Sequence, residues 1–197
     1  MTPVPFVGLT GGVGAGKSTA LAELERLGAA TLSTDAVVHA LYGSDDVRAA
    51  VVERFGPAVA PNGRVDRAAL ATRAFANPED RAWLEGMLWP RVGARIAAWR
   101  DEQLAHQPPP VAMVVEVPLL FEAGMEGAFD ATIAVVAAED VRSQRAAARG
   151  HEAVGERVAR QLPQDEKARR ADHAVENNGS RTDLRRNLAA ILGMLPS

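Results

Sequence analysis

The feature that most constrains this chain is a glycine-rich stretch near its start. Residues 11–18 read Gly-Gly-Val-Gly-Ala-Gly-Lys-Ser and match Gly-x-x-x-x-Gly-Lys-Ser, the Walker A pattern of a phosphate-binding loop. We call residues 11–18 the Walker loop. The apolar run before it, residues 4–9, predicts a buried parallel strand, and leucines at helical spacing after it predict a helix that ends near Gly28. Strand, glycine loop and helix form the context in which this motif binds phosphate.

The residue types of the loop fit phosphate chemistry. Glycines leave the backbone bare and allow positive φ, so several N–H groups can approach phosphate oxygens together. The loop leads into a helix N-terminus, where the helix dipole favours an anion. Lys17 is expected to bind the β- and γ-phosphates of ATP, and Ser18 is expected to bind Mg²⁺. The predicted ATP contacts of this segment are Gly12, Val13, Gly14, Ala15, Gly16, Lys17, Ser18 and Thr19.

Apolar runs separated by helical patterns predict an α/β fold with a five-stranded parallel sheet. The predicted strands cover residues 4–9, 29–33, 111–116, 130–136 and 171–175. Roughly 60 residues between the second and third strands show helical patterns and no clear strand, so we expect a helical subdomain there rather than a minimal crossover. Within it, Trp89-Pro90 is expected to end a helix. The three tryptophans, Trp83, Trp89 and Trp99, are expected in the core.

Two carboxylates are placed at predicted strand ends. In an open parallel sheet, ligands bind beyond the carboxyl ends of the strands. Asp35 follows the second strand, and two interpretations stay open: it orients or deprotonates an attacking hydroxyl, or it caps the helix that follows. Glu116 ends the apolar run of the third strand, which favours a role in holding Mg²⁺ over a strand that merely ends there.

A basic stretch follows the fourth strand. Arg142, Arg145 and Arg149 fall on one helix face, and further basic residues follow at 157, 160, 167, 169 and 170. Such a stretch is often a solvated face. Because this one begins at the carboxyl edge of a strand, we expect a basic lid that closes over ATP and places an arginine on the transferred phosphoryl group.

Composition limits the environment and the partners of the chain. The net charge of −3 and the pI of about 5.8 argue against general binding of nucleic acid. The sequence contains no cysteine, which agrees with a reducing cytoplasm, and it enters the first strand without a signal-peptide pattern. The longest apolar run, residues 111–121, is too short to span a membrane.

Several motifs together resemble the dephospho-CoA kinase family over nearly the whole length. The Gly-Leu-Thr-Gly-Gly start combined with Val-Pro-Leu-Leu-Phe-Glu is highly specific, whereas Walker A alone names only a superfamily. The matching pieces are residues 8–18, 34–39, 62–67, 116–122, 160–161, 166–167, 171–172 and 177–180.

The resemblance implies a fold, a reaction and site residues. The fold is a P-loop kinase-type three-layer α/β/α sandwich, with a core of residues 1–42, 111–138 and 171–197, a helical CoA-binding insertion at 43–110 and a lid at 139–170. The reaction is phosphorylation of the ribose 3′-hydroxyl of dephospho-CoA by ATP with Mg²⁺. Asp35 and Lys17 are then catalytic together with a lid arginine, for which Arg142 is the first candidate among several, while Ser18 and Glu116 hold the metal and Asn177 joins the ATP contacts. Apart from the resemblance, we expect a cytoplasmic protein whose oligomeric state is open, with a monomer favoured.

Three positions depart from the family pattern. Ser33 stands where an aspartate is usual, Glu116 replaces a shorter aspartate, and Trp89 replaces a histidine before Pro90. The departures keep another P-loop small-molecule kinase, such as a nucleoside monophosphate kinase, as an alternative. A GTP-dependent switch would need an Asn-Lys-x-Asp motif, which the sequence lacks.

Overall fold

A computed structural model describes residues 3–147 and 161–196. Within this part of the chain, the strands are β1 Phe6–Gly11, β2 Ala30–Ser33, β3 Met113–Glu116, β4 Ala131–Val136 and β5 His173–Glu176. The α-helices are α1 Lys17–Arg26, α2 Thr34–Leu41, α3 Asp45–Phe55, α4 Arg67–Ala76, α5 Pro78–Leu104, α6 Glu139–Ala147, α7 Gln164–Arg170 and α8 Arg181–Leu192. The chain forms two compact units, Met1–Ser33 with Asp101–Ser197, and Thr34–Arg100.

The first unit is built on the predicted five-stranded parallel sheet. Its strand order is β2-β3-β1-β4-β5, so β1, which leads into the Walker loop, lies at the centre. All six residues of β1 and all four of β3 are buried, as expected for strands covered on both faces.

Helices cover both faces of this sheet. Alternate residues of a strand point to opposite faces. Val7 and Leu9 pack in one cluster with Leu24 of α1 and Leu188 of α8. On the other face, α7 packs against β1 and β4. The predicted three-layer α/β/α architecture is therefore confirmed.

The second unit is helical and has its own core. Its buried cluster contains Val51 and Phe55 of α3, Leu70 of α4, and Leu84 and Leu88 of α5. The ring of Phe55 meets that of Trp83 edge-on, with 5.7 Å between the centroids. No helix in the described ranges is both long and apolar enough to cross a membrane.

The expectation that Trp89-Pro90 ends a helix is wrong. Helix α5 runs through Pro90 without a break in its assignment. A proline inside a helix removes a backbone hydrogen bond and introduces a steric clash, which together cost about 3 kcal/mol. Leu84 and Leu88 are buried before Pro90 and Trp99 is buried after it, so packing on both sides offsets this cost.

The expectation that all three tryptophans are in the core is also wrong. Trp99 is buried and Trp83 is half-buried, but Trp89 is 56% exposed. The buried residues Leu84 and Leu88 are four apart on one face of α5, and Trp89 is turned about 100° from Leu88. Helical position, rather than hydrophobicity, therefore decides where Trp89 lies.

Candidate active site

The Walker loop lies at the carboxyl edge of the central strands. Gly11 ends β1 and is in register with Val135 of β4, and α1 begins at Lys17. The predicted strand–loop–helix unit is thus present. Parallel sheets bind ligands at this edge, so the loop stands where a phosphate site is expected.

Two glycines of the loop have backbones and surroundings that exclude a side chain. Gly14 has φ +78°, and a Cβ there would lie 2.6 Å from the backbone oxygen of Arg142. Gly16 has φ +96°, and a Cβ there would lie 2.1 Å from Nδ2 of Asn177. Gly16 is also the N-cap of α1 and has no side chain to offer the amides of the first turn, which an anion can therefore bind.

Lys17 and Ser18 occupy the first turn of α1. The Lys17 ammonium donates to the carbonyl oxygens of Gly11 at 3.0 Å and Gly12 at 3.2 Å. It is thereby held across the start of the loop that is to receive phosphate. Ser18 is exposed, so its hydroxyl is accessible to a ligand at the loop.

Glu116 ends β3 next to the central strand. It is in register with Leu9 of β1 on one side and Ser33 of β2 on the other, and it is only 6% exposed. A buried carboxylate needs compensation by hydrogen bonds or a cation. Together with the Ser18 hydroxyl it supplies hard oxygen donors, which Mg²⁺ prefers.

No group of three or more His, Cys, Asp or Glu side chains with metal-binding geometry occurs in the described residues. This finding does not conflict with a magnesium site at Ser18 and Glu116. Mg²⁺ in phosphate-transfer sites keeps several waters and phosphate oxygens and takes only one or two protein ligands. The residue types suit Mg²⁺, and a metal site at Ser18 and Glu116 stays a prediction.

Arg142 contacts the Walker loop directly. Its Nε donates to the carbonyl oxygen of Val13 at 3.0 Å, and its Nη1 pairs with Glu139 at 2.8 Å. The described part of α6 thus brings one arginine of the predicted lid onto the loop. Arg149, Arg157 and Arg160 lie outside the described residues, as does much of the predicted lid.

Asn177 supports the loop from behind. Its Nδ2 donates to the carbonyl oxygen of Ala15 at 2.8 Å in a buried hydrogen bond. Arg145 in turn donates to the carbonyl oxygen of Asn177 at 3.0 Å. These bonds hold the turn before Gly16 in place, and direct contact between Asn177 and ATP stays a prediction.

A cavity of about 490 Å³ opens beside the loop. It is lined by Gly12 and Arg142 together with residues that follow at 161–165. Its volume falls within the range of small-molecule sites. A cavity of about 610 Å³ near Pro5, Pro110 and Leu192 has no ionisable residue in its lining and carries no comparable chemistry.

Lys167 differs from the sequence interpretation. The spacing grouped it with a solvated or lid-forming basic cluster, but its side chain is fully buried on α7. Its ammonium pairs with Glu122 at 2.9 Å. Glu122 and Lys167 both belong to motifs that carry the family resemblance, but no local pattern in the sequence pairs them.

Asp35 belongs to the helical unit and is exposed. Strand β2 ends at Ser33, and α2 begins at Thr34, so Asp35 is the second residue of the helix. Asp35 therefore lies inside the first turn rather than before it, which argues against the N-cap interpretation. An acid in the first turn complements the helix dipole, and the catalytic role of Asp35 stays a prediction.

Comparison with known sequences agrees with the motifs. The sequence profile described as dephospho-CoA kinase matches residues 5–183. The chain belongs to the dephospho-CoA kinase family. A dephospho-CoA kinase of Anaeromyxobacter dehalogenans is 42% identical over 181 residues, which cover 88% of this chain and 84% of that protein. The resemblance seen in the motifs is therefore confirmed.

Solved structures share the fold of this family member. The crystal structure of TT1252 from Thermus thermophilus aligns over 100% of both chains, with a TM-score of 0.79 and 34% identity. A shikimate kinase from Acinetobacter baumannii aligns over 97% of this chain and 94% of that chain, with a TM-score of 0.52 and 15% identity. The second likeness shows the P-loop kinase fold alone.

Proposed function

We propose that this protein transfers the γ-phosphoryl group of ATP to the ribose 3′-hydroxyl of dephospho-CoA, giving coenzyme A and ADP. The family match over residues 5–183 is the observation that carries the proposal. The bare Walker loop at the carboxyl edge of the sheet, with Lys17 across its start, supports it.

Binding and orientation come first. The backbone amides of the loop and of the first turn of α1 hold the β- and γ-phosphates, and Lys17 adds a positive charge. Ser18 and Glu116 are the residues that would hold Mg²⁺, which when bound neutralises charge on the phosphates. Asn177 keeps the loop in shape through Ala15.

The chemical step uses Asp35 and an arginine. Asp35 orients the 3′-hydroxyl and accepts its proton, while the oxygen bonds to the γ-phosphorus and the bond to the β–γ bridging oxygen breaks. The electron pair leaves with ADP. We assign charge neutralisation on the moving phosphoryl group to Arg142, because its guanidinium already contacts the loop at Val13.

The remaining assignments are also proposals. The helical insertion at 43–110 holds the CoA end of the substrate, and the segment at 139–170 acts as a lid over ATP. We further propose a monomeric, cytoplasmic enzyme.

A substrate panel tests the proposal. ADP release is measured with ATP and Mg²⁺ alone and with dephospho-CoA, AMP, CMP, adenosine or shikimate, and 3′-deoxy-dephospho-CoA is the matched control that lacks only the acceptor hydroxyl. We expect turnover with dephospho-CoA and none with the 3′-deoxy analogue. If a nucleoside monophosphate is the only acceptor that is phosphorylated, the ATP-site assignment stands and the substrate assignment is overturned. Ser33 and Trp89 would then mark a change of specificity.

A further inference from the structure

A fully buried lysine lies beneath the two strand ends that carry the proposed site. Lys167, on α7, has no exposed surface. Its ammonium donates to the carbonyl oxygen of Pro118 at 2.7 Å and contacts Thr10 Oγ1 at 3.5 Å and Glu122 Oε1 at 2.9 Å. An ammonium has three donors, so each donor has one acceptor.

Burial of the Lys167–Glu122 ion pair is energetically unfavourable for folding. Burial lowers the pKa of Lys167, and the hydrogen bond and charge of Glu122 oppose this shift. The second carboxylate oxygen of Glu122 is buried and has no hydrogen-bond partner among the described residues. Buried ion pairs seldom stabilise a protein more than a well-packed apolar pair of similar volume. Stability alone therefore does not account for this pair.

The acceptors of Lys167 show what the pair fixes. Thr10 is the residue before Gly11, where the Walker loop begins, and it is fully buried. Pro118 follows two residues after Glu116, the proposed metal ligand at the end of β3. Thr10 also donates to the carbonyl oxygen of Pro118 at 3.4 Å. The Lys167 ammonium thus connects the carboxyl end of β1, at Thr10, to the segment that follows β3, at Pro118.

Glu122 extends the tie to a third element. Its Oε1 accepts a hydrogen bond from the backbone N–H of Leu162 at 2.8 Å. Leu162 lines the cavity that also contains Gly12 and Arg142. The carboxylate therefore links the buried ammonium to the wall of the cavity beside the loop.

We propose that Lys167, anchored by Glu122, is a positioning residue for phosphoryl transfer that fixes the Walker loop relative to Glu116 through Thr10 and the carbonyl of Pro118. The proposal rests on the proposed function. Lys167 does not touch the reacting atoms. Displacing catalytic groups by about 1 Å can cost about 100-fold in rate, so loss of this tie should affect turnover more than binding.

Paired variants separate positioning from stability. Lys167→Met removes the charge and leaves Glu122 alone, so we expect a lower Tm together with a lower kcat. Adding Glu122→Gln to Lys167→Met removes the carboxylate charge that has lost its partner. The glutamine keeps an oxygen that can accept the hydrogen bond from the backbone N–H of Leu162. In this double variant we expect the Tm to recover towards wild type while kcat stays at least about tenfold low and the Kd for ADP by calorimetry stays within about threefold.

A milder variant covers the case in which Lys167→Met fails to fold. Thr10→Val keeps the volume and the ion pair but removes one acceptor of the ammonium, and we expect kcat to fall with little change in the Kd for ADP. Thr132→Val is the matched control, because Thr132 is also a buried strand threonine whose hydroxyl bonds to a charged group, Asp172, at 2.7 Å. We expect Thr132→Val to lower the Tm and leave kcat unchanged.

The outcomes are distinct. A double variant or Thr10→Val enzyme with wild-type kcat would overturn the positioning role while the proposed function stands. Wild-type protein that turns over no dephospho-CoA in the same assay would overturn the proposed function, and the inference with it. Low kcat in the recovered double variant and in Thr10→Val, but not in Thr132→Val, supports the inference.

Discussion

At the scale of single residues, the Walker loop depends on glycines, which have no Cβ. Gly16 has φ +96°, and its neighbour Asn177 leaves no room for a Cβ. Asn177 cannot move without losing its hydrogen bond to Ala15. The backbone shape and the supporting side chain are therefore coupled.

We predict that Gly16→Ala abolishes detectable ADP binding, because the new methyl group both strains the backbone and displaces Asn177. Isothermal titration calorimetry with ADP measures this directly. Gly127→Ala is the matched control, since Gly127 has no atom within 4 Å of its added Cβ. Wild-type ADP affinity in Gly16→Ala would show that the loop tolerates a side chain there and would contradict this view of the loop.

The proposed base is tested by an equally small change. Asp35→Asn keeps the size of the side chain and removes its capacity to accept a proton, so we expect kcat to fall by several orders of magnitude with an unchanged Kd for ADP. Asp46→Asn is the control, because Asp46 is also an exposed acid in the first turn of a helix of the same unit. Near-wild-type activity of Asp35→Asn would remove Asp35 from the chemistry.

Glu23 links acidity to stability. It is 1% exposed on α1 and pairs with Arg26 at 2.5 Å and with Arg185 of α8 at 2.6 Å. The hydrogen bond from Arg185 is the main cause of a lowered pKa at Glu23. A carboxyl group whose pKa is lowered by folding stabilises the protein above its unfolded pKa of about 4.3, and this contribution is lost as the pH falls through the folded pKa.

We therefore predict that Glu23→Gln lowers the Tm at pH 7 and that the difference from wild type shrinks as the pH falls below about 4.3. Thermal melts from pH 7 to pH 3 measure both effects. Glu25→Gln, an exposed change on the same helix, should follow wild type throughout. A Tm difference that is constant with pH would contradict the ion-pair explanation.

At the scale of elements, β1, β3 and β4 were predictable because each is a short apolar run, whereas β2 has no buried residue and β5 has only Val175 buried. Strands such as β1 and β4 are buried on both faces of a parallel sheet, so their sequences carry a strong signal. Helix α5 was mispredicted because local proline chemistry was weighed without the packing of Leu88 and Trp99 on either side. Tertiary contacts, which the sequence does not display, decided the outcome.

We therefore expect Pro90 to destabilise helix α5, in which it lies. We predict that Pro90→Ala stabilises the protein by about 1–3 kcal/mol, since alanine restores an N–H donor and removes the ring clash. Urea unfolding at pH 7 measures the change. A lower unfolding free energy in Pro90→Ala would mean that the surrounding helix is adapted to the proline.

The residues of the candidate site also differ in whether the sequence could predict their positions. The Walker loop, Ser18 and Glu116 could be located from sequence, because each follows directly from a motif at a strand end. Lys167 could not, because an arginine- and lysine-rich run looks solvated, and only the fold brings Glu122 and Pro118 to its ammonium. Long-range pairing of this kind has no local pattern.

At the scale of the whole molecule, the fold places the loop, whereas both the family and the substrate assignment rest on sequence relatedness. The order β2-β3-β1-β4-β5 sets the Walker strand in the middle of the sheet, with Glu116 on the neighbouring strand. Other P-loop kinases share this fold and act on different acceptors, as the shikimate kinase likeness illustrates. The identity of the acceptor therefore distinguishes this protein from other kinases of the same fold.

The most direct test is the identity of the product. Purified protein is incubated with ATP, Mg²⁺ and dephospho-CoA, and the nucleotide product is examined by chromatography against authentic coenzyme A and by ³¹P NMR. We predict one new phosphomonoester, on the ribose 3′-oxygen, formed in equal amount with ADP. No new phosphomonoester, or one at another position, would contradict it.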